Sequence, residues 1–116
     1  RLRSVLSSKE AEALIDKYPA ISLNTFHVHN NSLEEAHFKQ AIREGSCEDT
    51  MSIAKTFRAR ITHARGKNKR PPVSHERIFK MASLRSLYEL AVALHTSTDD
   101  IQSKFSSRFG ILLGEV

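Results

Sequence analysis

The chain has 116 residues, 40% hydrophobic and 27% charged, with 18 Lys and Arg against 13 Asp and Glu and a formal net charge of +5. That length suits one domain, which can bury roughly two-thirds of the surface its unfolded chain exposes. A single cysteine, Cys47, excludes an internal disulfide, and the longest apolar run, Leu90 to Leu94, falls far short of the ~20 residues that span a bilayer.

The lone thiol and the lack of a basic and apolar leader lead to the expectation of a soluble, cytoplasmic chain with no membrane partner. Arg1 at the start reads as the edge of a longer or processed protein. Helix starts are marked by a Ser three residues before a carboxylate: Ser7 with Glu10, Ser32 with Glu35, Ser46 with Asp49 and Ser97 with Asp100. In each, the hydroxyl and the carboxylate satisfy orphan amide donors of a first turn. Ser74, before His75 and Glu76, is a weaker fifth.

The first helix is expected over about Lys9 to Tyr18, burying Ala11, Leu14, Ile15 and Tyr18 and stopping at Pro19, because the residue before a proline is pushed out of helical geometry. Residues 20 to 31, β-branched and Asn-rich, read as an ordered loop. A second helix, Leu33 to Glu44, gathers Leu33, His37, Phe38, Ala41 and Ile42 on one side and Lys39 with Arg43 on the other, ending at Gly45. In the third, Met51, Ala54, Phe57, Ile61 and Ala64 share an arc of about a quarter of the circumference. Beside that arc Lys55, Arg58, Thr62 and Arg65 form a stripe expected to lie in water, with Arg60 and His63 on the other flank. Gly66 to Pro72 ends this helix. The fourth, about His75 to His95, turns apolar all round through Leu84, Leu87, Tyr88 and Leu90 to Leu94, which places it at the centre of a bundle. The fifth, Thr98 to Phe109, offers Ile101, Phe105 and Phe109 for packing on it. These elements predict an all-α fold, a single compact domain of about five helices around a central apolar helix.

Charge is unevenly shared. Residues 1 to 49 carry six basic and eight acidic side chains, and residues 50 to 116 carry twelve basic and five acidic. No acidic residue stands between Asp49 and Glu76, a stretch holding Lys55, Arg58, Arg60, Arg65, Lys67, Lys69 and Arg70. A face kept soluble by charge usually mixes Glu with Lys at spacings of four, whereas a run of repelling cations is destabilising until a polyanion offsets it. Stacking aromatics for single strands are scarce nearby, so duplex phosphate contact is favoured. Other chemistries lack their residues. His27 and His29 are two ligands only, and His37 lies on an apolar arc, so no metal is expected. Cys47 fits a first helical turn as a small residue. The pairs Glu34 with Glu35, Glu48 with Asp49 and Asp99 with Asp100 also fall in first turns, where they complement the helix dipole. No glycine-rich phosphate loop exists. Neither an enzyme, a cofactor nor a small-molecule substrate is expected.

Three segments, Leu2-Arg-Ser-Val-Leu-Ser-Ser-Lys-Glu-Ala11, Phe38-Lys-Gln-Ala-Ile-Arg-Glu-Gly-Ser-Cys47 and Tyr88-Glu-Leu-Ala-Val-Ala-Leu94, together resemble the C-terminal helical domain of CarD-like bacterial transcription regulators. Ile53-Ala-Lys-Thr-Phe-Arg-Ala-Arg60 and Ser74-His-Glu-Arg77 fit the same pattern, so the resemblance covers about residues 1 to 110 and leaves 111 to 116 as a tail. It implies a module that contacts double-stranded promoter DNA at the upstream edge of the transcription bubble, while a separate N-terminal β domain, missing from this chain, binds RNA polymerase. It places Lys39 at a position where mycobacterial members carry a DNA-contacting lysine. Family members often wedge a tryptophan into the minor groove; this chain has none, and by approximate alignment Phe26, His27 or Glu34 occupies that region, with Phe26 or His27 as the residue that could wedge.

The expected DNA contacts are thus Lys39, Arg43, Lys55, Arg58, Arg65 and Arg77, with Phe26 or His27 as a wedge. The rival reading is a helical interaction module whose basic face docks an acidic protein, with the Lys-Asn-Lys-Arg-Pro-Pro loop taking part.

Overall fold

In the computed structural model, residues 5–116 are described, and residues 1–4, with the start of the first resembling segment and of the 1–110 domain, lie outside them. The described residues form α1 (Ser8–Lys17), a 3-10 turn (Tyr18–Ala20), α2 (Asn31–Glu44), α3 (Cys47–Gly66), α4 (Val73–Ala93) and α5 (Thr98–Phe109). The all-α expectation holds, and no strand occurs among the described residues.

Capping chemistry sets most of the starts. Ser7 with Glu10 and Ser46 with Asp49 form reciprocal capping boxes, and the Ser97 hydroxyl accepts from the Asp100 amide at 3.1 Å. Two starts differ from expectation. Helix α2 begins earlier, capped by Asn30, whose Oδ1 accepts from the Leu33 amide at 3.0 Å, so Glu35 is released from the capping role expected beside Ser32. Helix α4 begins after Pro72 without a side-chain cap, and the Ser74 hydroxyl is buried without a hydrogen-bond partner.

The ends follow backbone geometry. After α3, Asn68 adopts φ 57°, and the amides of Lys69 and Asn68 donate to the carbonyls of Ala64 and Arg65 at 2.9 and 3.0 Å. His95 does the same after α4 at φ 55°, with Thr96 and His95 donating to Ala91 and Val92. Both are Schellman closures in which a polar residue takes the left-handed position that glycine usually fills. Between α2 and α3, a Cβ on Gly45 would come within 2.7 Å of the Ala41 carbonyl, so only glycine permits that turn.

Helix α4 is the shared wall of two apolar clusters. Ile15, Tyr18, Met51, Leu87, Leu90, Ile101 and Phe105 meet at its C-terminal half, and Phe38, Ile42, Phe57, Ile61, Ile78 and Ala82 at its N-terminal half. Helix α3 runs antiparallel to it: the Phe57 ring lies 5.2 Å from that of His75, while Met51 shares a cluster with Leu90. Helix α2 runs parallel to α4, with Glu35 beside Arg77 and Ile42 in the cluster of Ala82. The ends of α3 and the starts of α2 and α4 therefore converge at one end of the bundle. Residues 111–116 are not detached from this body, because Leu113 is fully buried in the first cluster. In one respect the periodicity misled: the all-apolar turns of α4 are not enclosed, for Leu84, Tyr88 and Val92 are 42%, 62% and 69% exposed. No described helix is long and apolar enough to cross a membrane.

Candidate nucleic-acid interface

The stripe on α3 does not reach water intact. Lys55 Nζ donates to the carbonyls of Tyr18, Pro19 and Ile21 at 3.0, 3.0 and 2.8 Å, closing the end of the 3-10 turn. Burial lowers its pKa, since the ammonium has exchanged hydration for peptide dipoles. The Arg58 guanidinium donates to the carbonyls of Leu112 and Leu113 and lies over the Phe79 ring, 5.5 Å from its centre. The expectation that Lys55 and Arg58 stand in water is thereby corrected. Each satisfies carbonyls from a distant segment, because the loop after α1 and the chain after α5 cross α3 at those points.

Lys39 and Arg77 share one carboxylate. Arg77 forks onto Glu35 through Nε and a terminal nitrogen, both at 2.8 Å, and Lys39 Nζ lies 3.5 Å from the same group. Two cations and one anion leave a single excess charge there. The hydrogen bonds from Arg77 hold the Glu35 carboxyl down at about 2, against an ordinary 4.5. Arg43 and Arg65 are exposed and form no ion pair among the described residues. Arg43 lies about 12 Å along α2 from the level of Glu35, away from the convergent end.

The wedge candidates are also engaged. Phe26 is half-buried, stacked on the His37 ring at 3.5 Å and edge-on to Phe38 at 5.7 Å. His27 Nδ1 lies 3.0 Å from Glu34 Oε2. Phe26 thus packs against the second cluster, while 54% of the His27 side chain is exposed.

A network at this end escaped the sequence reading. Glu34, expected in a first helical turn where it complements the dipole, is 1% exposed. Its carboxylate accepts from Arg60 at 2.9 Å, lies within reach of His27 at 3.0 Å and His75 at 3.3 Å, and receives the Val28 amide at 3.4 Å. Arg60 also donates to the Phe26 carbonyl at 3.0 Å and covers the Phe57 ring at 4.5 Å. Burial by itself would raise the Glu34 carboxyl, but the Arg60 hydrogen bond and charge, with His27, outweigh it and keep the pKa below 4.5. Burial and the nearby Arg60 charge push His75 below 6.5, against the opposing pull of Glu34. The only forewarning in the sequence was the excess of His and Arg near two adjacent Glu.

These shifts have a signed consequence. A histidine whose folded pKa is depressed leaves the unfolded chain binding more protons once pH falls below 6.5, so stability drops there. The depressed carboxyls remove more as pH falls from 4.5 towards 2. Urea midpoints measured from pH 7.5 downwards are expected to fall in those two windows, and His75→Gln is expected to flatten the upper one. A flat midpoint between pH 7.5 and 5 in the parent chain would contradict this assignment.

The cations left over gather where α3 hands over to α4. Arg65, Lys67, Lys69 and Arg70 fall within six residues, are all exposed, and form no ion pair among the described residues. Of the expected contacts only Arg65 lies here, and Lys67, Lys69 and Arg70 were absent from the expected contact set. One or two cations at this place complement the C-terminal end of the α3 dipole, and four exceed that need. Glu76, one turn into α4, is the nearest acidic residue in sequence. Among the described residues no group of three or more His, Cys, Asp or Glu is placed to hold a metal ion. No family model, curated protein or solved structure matches the chain.

Proposed function

We propose that this domain binds duplex DNA through backbone phosphates at the α3–α4 turn, as the DNA-binding module of a CarD-like transcription regulator acting at the upstream edge of the bubble. The observation that carries the reading is the set of four exposed cations, Arg65, Lys67, Lys69 and Arg70, left unpaired while most other expected contacts are satisfied internally. A compact group of charges without carboxylates is stabilised when a phosphate chain replaces its mutual repulsion, and counterion release from the duplex supplies the free energy. Lys39 and Arg77 add one excess charge at the same end. RNA polymerase enters this reading as the partner of a separate domain.

With about four phosphates engaged, the logarithm of the affinity for a labelled duplex falls with the logarithm of salt at a slope of about −3 to −4. Changing Arg65, Lys67, Lys69 and Arg70 together to Gln brings that slope close to zero for all sequences alike, and fluorescence anisotropy in a salt series reads both numbers. Comparison of forked and fully paired duplexes, with and without His27→Ala, reads whether the exposed His27 adds a wedge contact. Salt-independent binding, or an unchanged slope in the fourfold variant, refutes the proposal. Retention of an acidic protein surface that duplex DNA does not displace favours the docking alternative.

A further inference from the structure

Two imidazoles share the buried Glu34 carboxylate with Arg60. His27, half-exposed, places Nδ1 3.0 Å from one carboxylate oxygen, and His75, largely covered, places Nε2 3.3 Å from the other. His75 faces Glu34 of α2, Arg60 of α3 and His27 of the loop before α2. His27 faces Glu34 and His75, with the His29 ring 5.1 Å away. With both imidazoles neutral, the cluster holds one negative charge and one fixed positive charge. Each proton it takes up is therefore an excess cation. Glu35 next to it supplies no spare anion, because Arg77 and Lys39 already share that carboxylate.

The cluster adjoins the four exposed cations of the α3–α4 turn. Arg65 follows Arg60 by five residues on α3, about 7.5 Å along its axis. Arg70 is joined to His75 by three links outside the helix and two within it, a span of at most about 13 Å. Both spans are comparable with the ~8–10 Å screening length at physiological salt, so charge at one place is felt at the other.

We infer, on the premise that the α3–α4 turn engages duplex phosphates, that this site is regulated by protons: seating of the phosphate chain draws protons onto His27 and His75, and the domain holds DNA more tightly as pH falls. In the free domain Arg65, Lys67, Lys69 and Arg70 oppose a further positive charge nearby. Once phosphates neutralise them, attraction replaces that opposition. The bound domain then holds more protons than the free one, and by reciprocity each proton strengthens phosphate binding. His75 has the most to gain, being held below its ordinary 6.5 by burial and by the Arg60 charge. A merely structural role for the two histidines gives the opposite sign, because the fold loses stability over the same range.

Anisotropy of a labelled duplex at constant ionic strength, from about pH 8 to about pH 6, tests the linkage. Uptake of about one proton shared by two imidazoles is expected to raise the affinity of the parent chain about threefold to tenfold over that range. His27→Gln with His75→Gln is expected to lose most of the gain, and His95→Asn, beyond the far end of α4, to keep it. The double variant alters a packed site, so titration calorimetry of the parent chain in two buffers of different ionisation enthalpy gives a second readout, with proton uptake expected on binding. An affinity that keeps its salt dependence but is flat or falls on acidification overturns the inference and leaves the phosphate contacts standing. So does a binding heat indifferent to the buffer, or a full gain in the double variant. A duplex that fails to bind at every pH removes the phosphate contacts, and the linkage with them.

Discussion

Glu34→Ala is expected to lower the unfolding free energy by about 3–5 kcal/mol, the range found when one partner of a buried ion pair is removed. The carboxylate is 1% exposed and receives Arg60, whose side chain is only 22% exposed, and it lies against His75, whose side chain is 14% exposed. Its loss leaves a guanidinium facing the Phe57 ring with no anion and little water. The magnitude comes from that stranded charge and not from the net value of the pair, which desolvation largely cancels. Removing both charges together should therefore be milder: Glu34→Leu with Arg60→Met is expected to cost well under the sum of the single changes, with a coupling of about 2 kcal/mol. Urea unfolding of the three variants decides it. Additive losses would show that the carboxylate acts through packing alone.

Phe57→Ala is expected to cost about 3–5 kcal/mol, because it empties the middle of the second apolar cluster. The ring is fully buried, edge-on to Phe38 at 5.0 Å and to His75 at 5.2 Å, with Arg60 above its face at 4.5 Å. Neither α3 nor α4 can move in to fill the space, since the same two helices are fixed against each other in the other cluster by Met51 and Leu90. The loss includes the transfer term, the cavity and the cation–π contact that helps hold Arg60 on Glu34. Chemical denaturation monitored by circular dichroism gives the value, and a cost below about 1.5 kcal/mol, typical of a volume-conserving exchange, would mean that the cluster collapses onto the site.

The helices were readable from the chain because their signals are local. A capping oxygen and the amide it serves are three residues apart, as in Ser7 with Glu10 and Ser46 with Asp49, and the core arc of α3 repeats within a single turn. Where two local signals competed, the reading slipped: Asn30 and Ser32 are both good caps, and the helix is capped at Asn30. The exposed stripe on α4 shows another limit, since an apolar residue names a preference for burial and not the neighbour that provides it. Leu87 found one in the first cluster, and Tyr88, one residue on, is 62% exposed among the described residues.

The excess of cations was readable from the sequence, and the partners that several of them meet inside the fold were not. Local spacing along the chain settled five helices, their order, the apolar arcs that join them and the excess of cations between Asp49 and Glu76. Which of those cations stay available was settled by chain crossings that no spacing encodes: Lys55 meets carbonyls 34 to 37 residues away, Arg58 meets the Leu113 carbonyl 55 residues away, and Arg77 meets a carboxylate 42 residues away. The physical reason is that a charged side chain lowers its free energy with whichever dipole or counter-charge the fold delivers within about 3 Å, and long-range packing alone determines what is delivered.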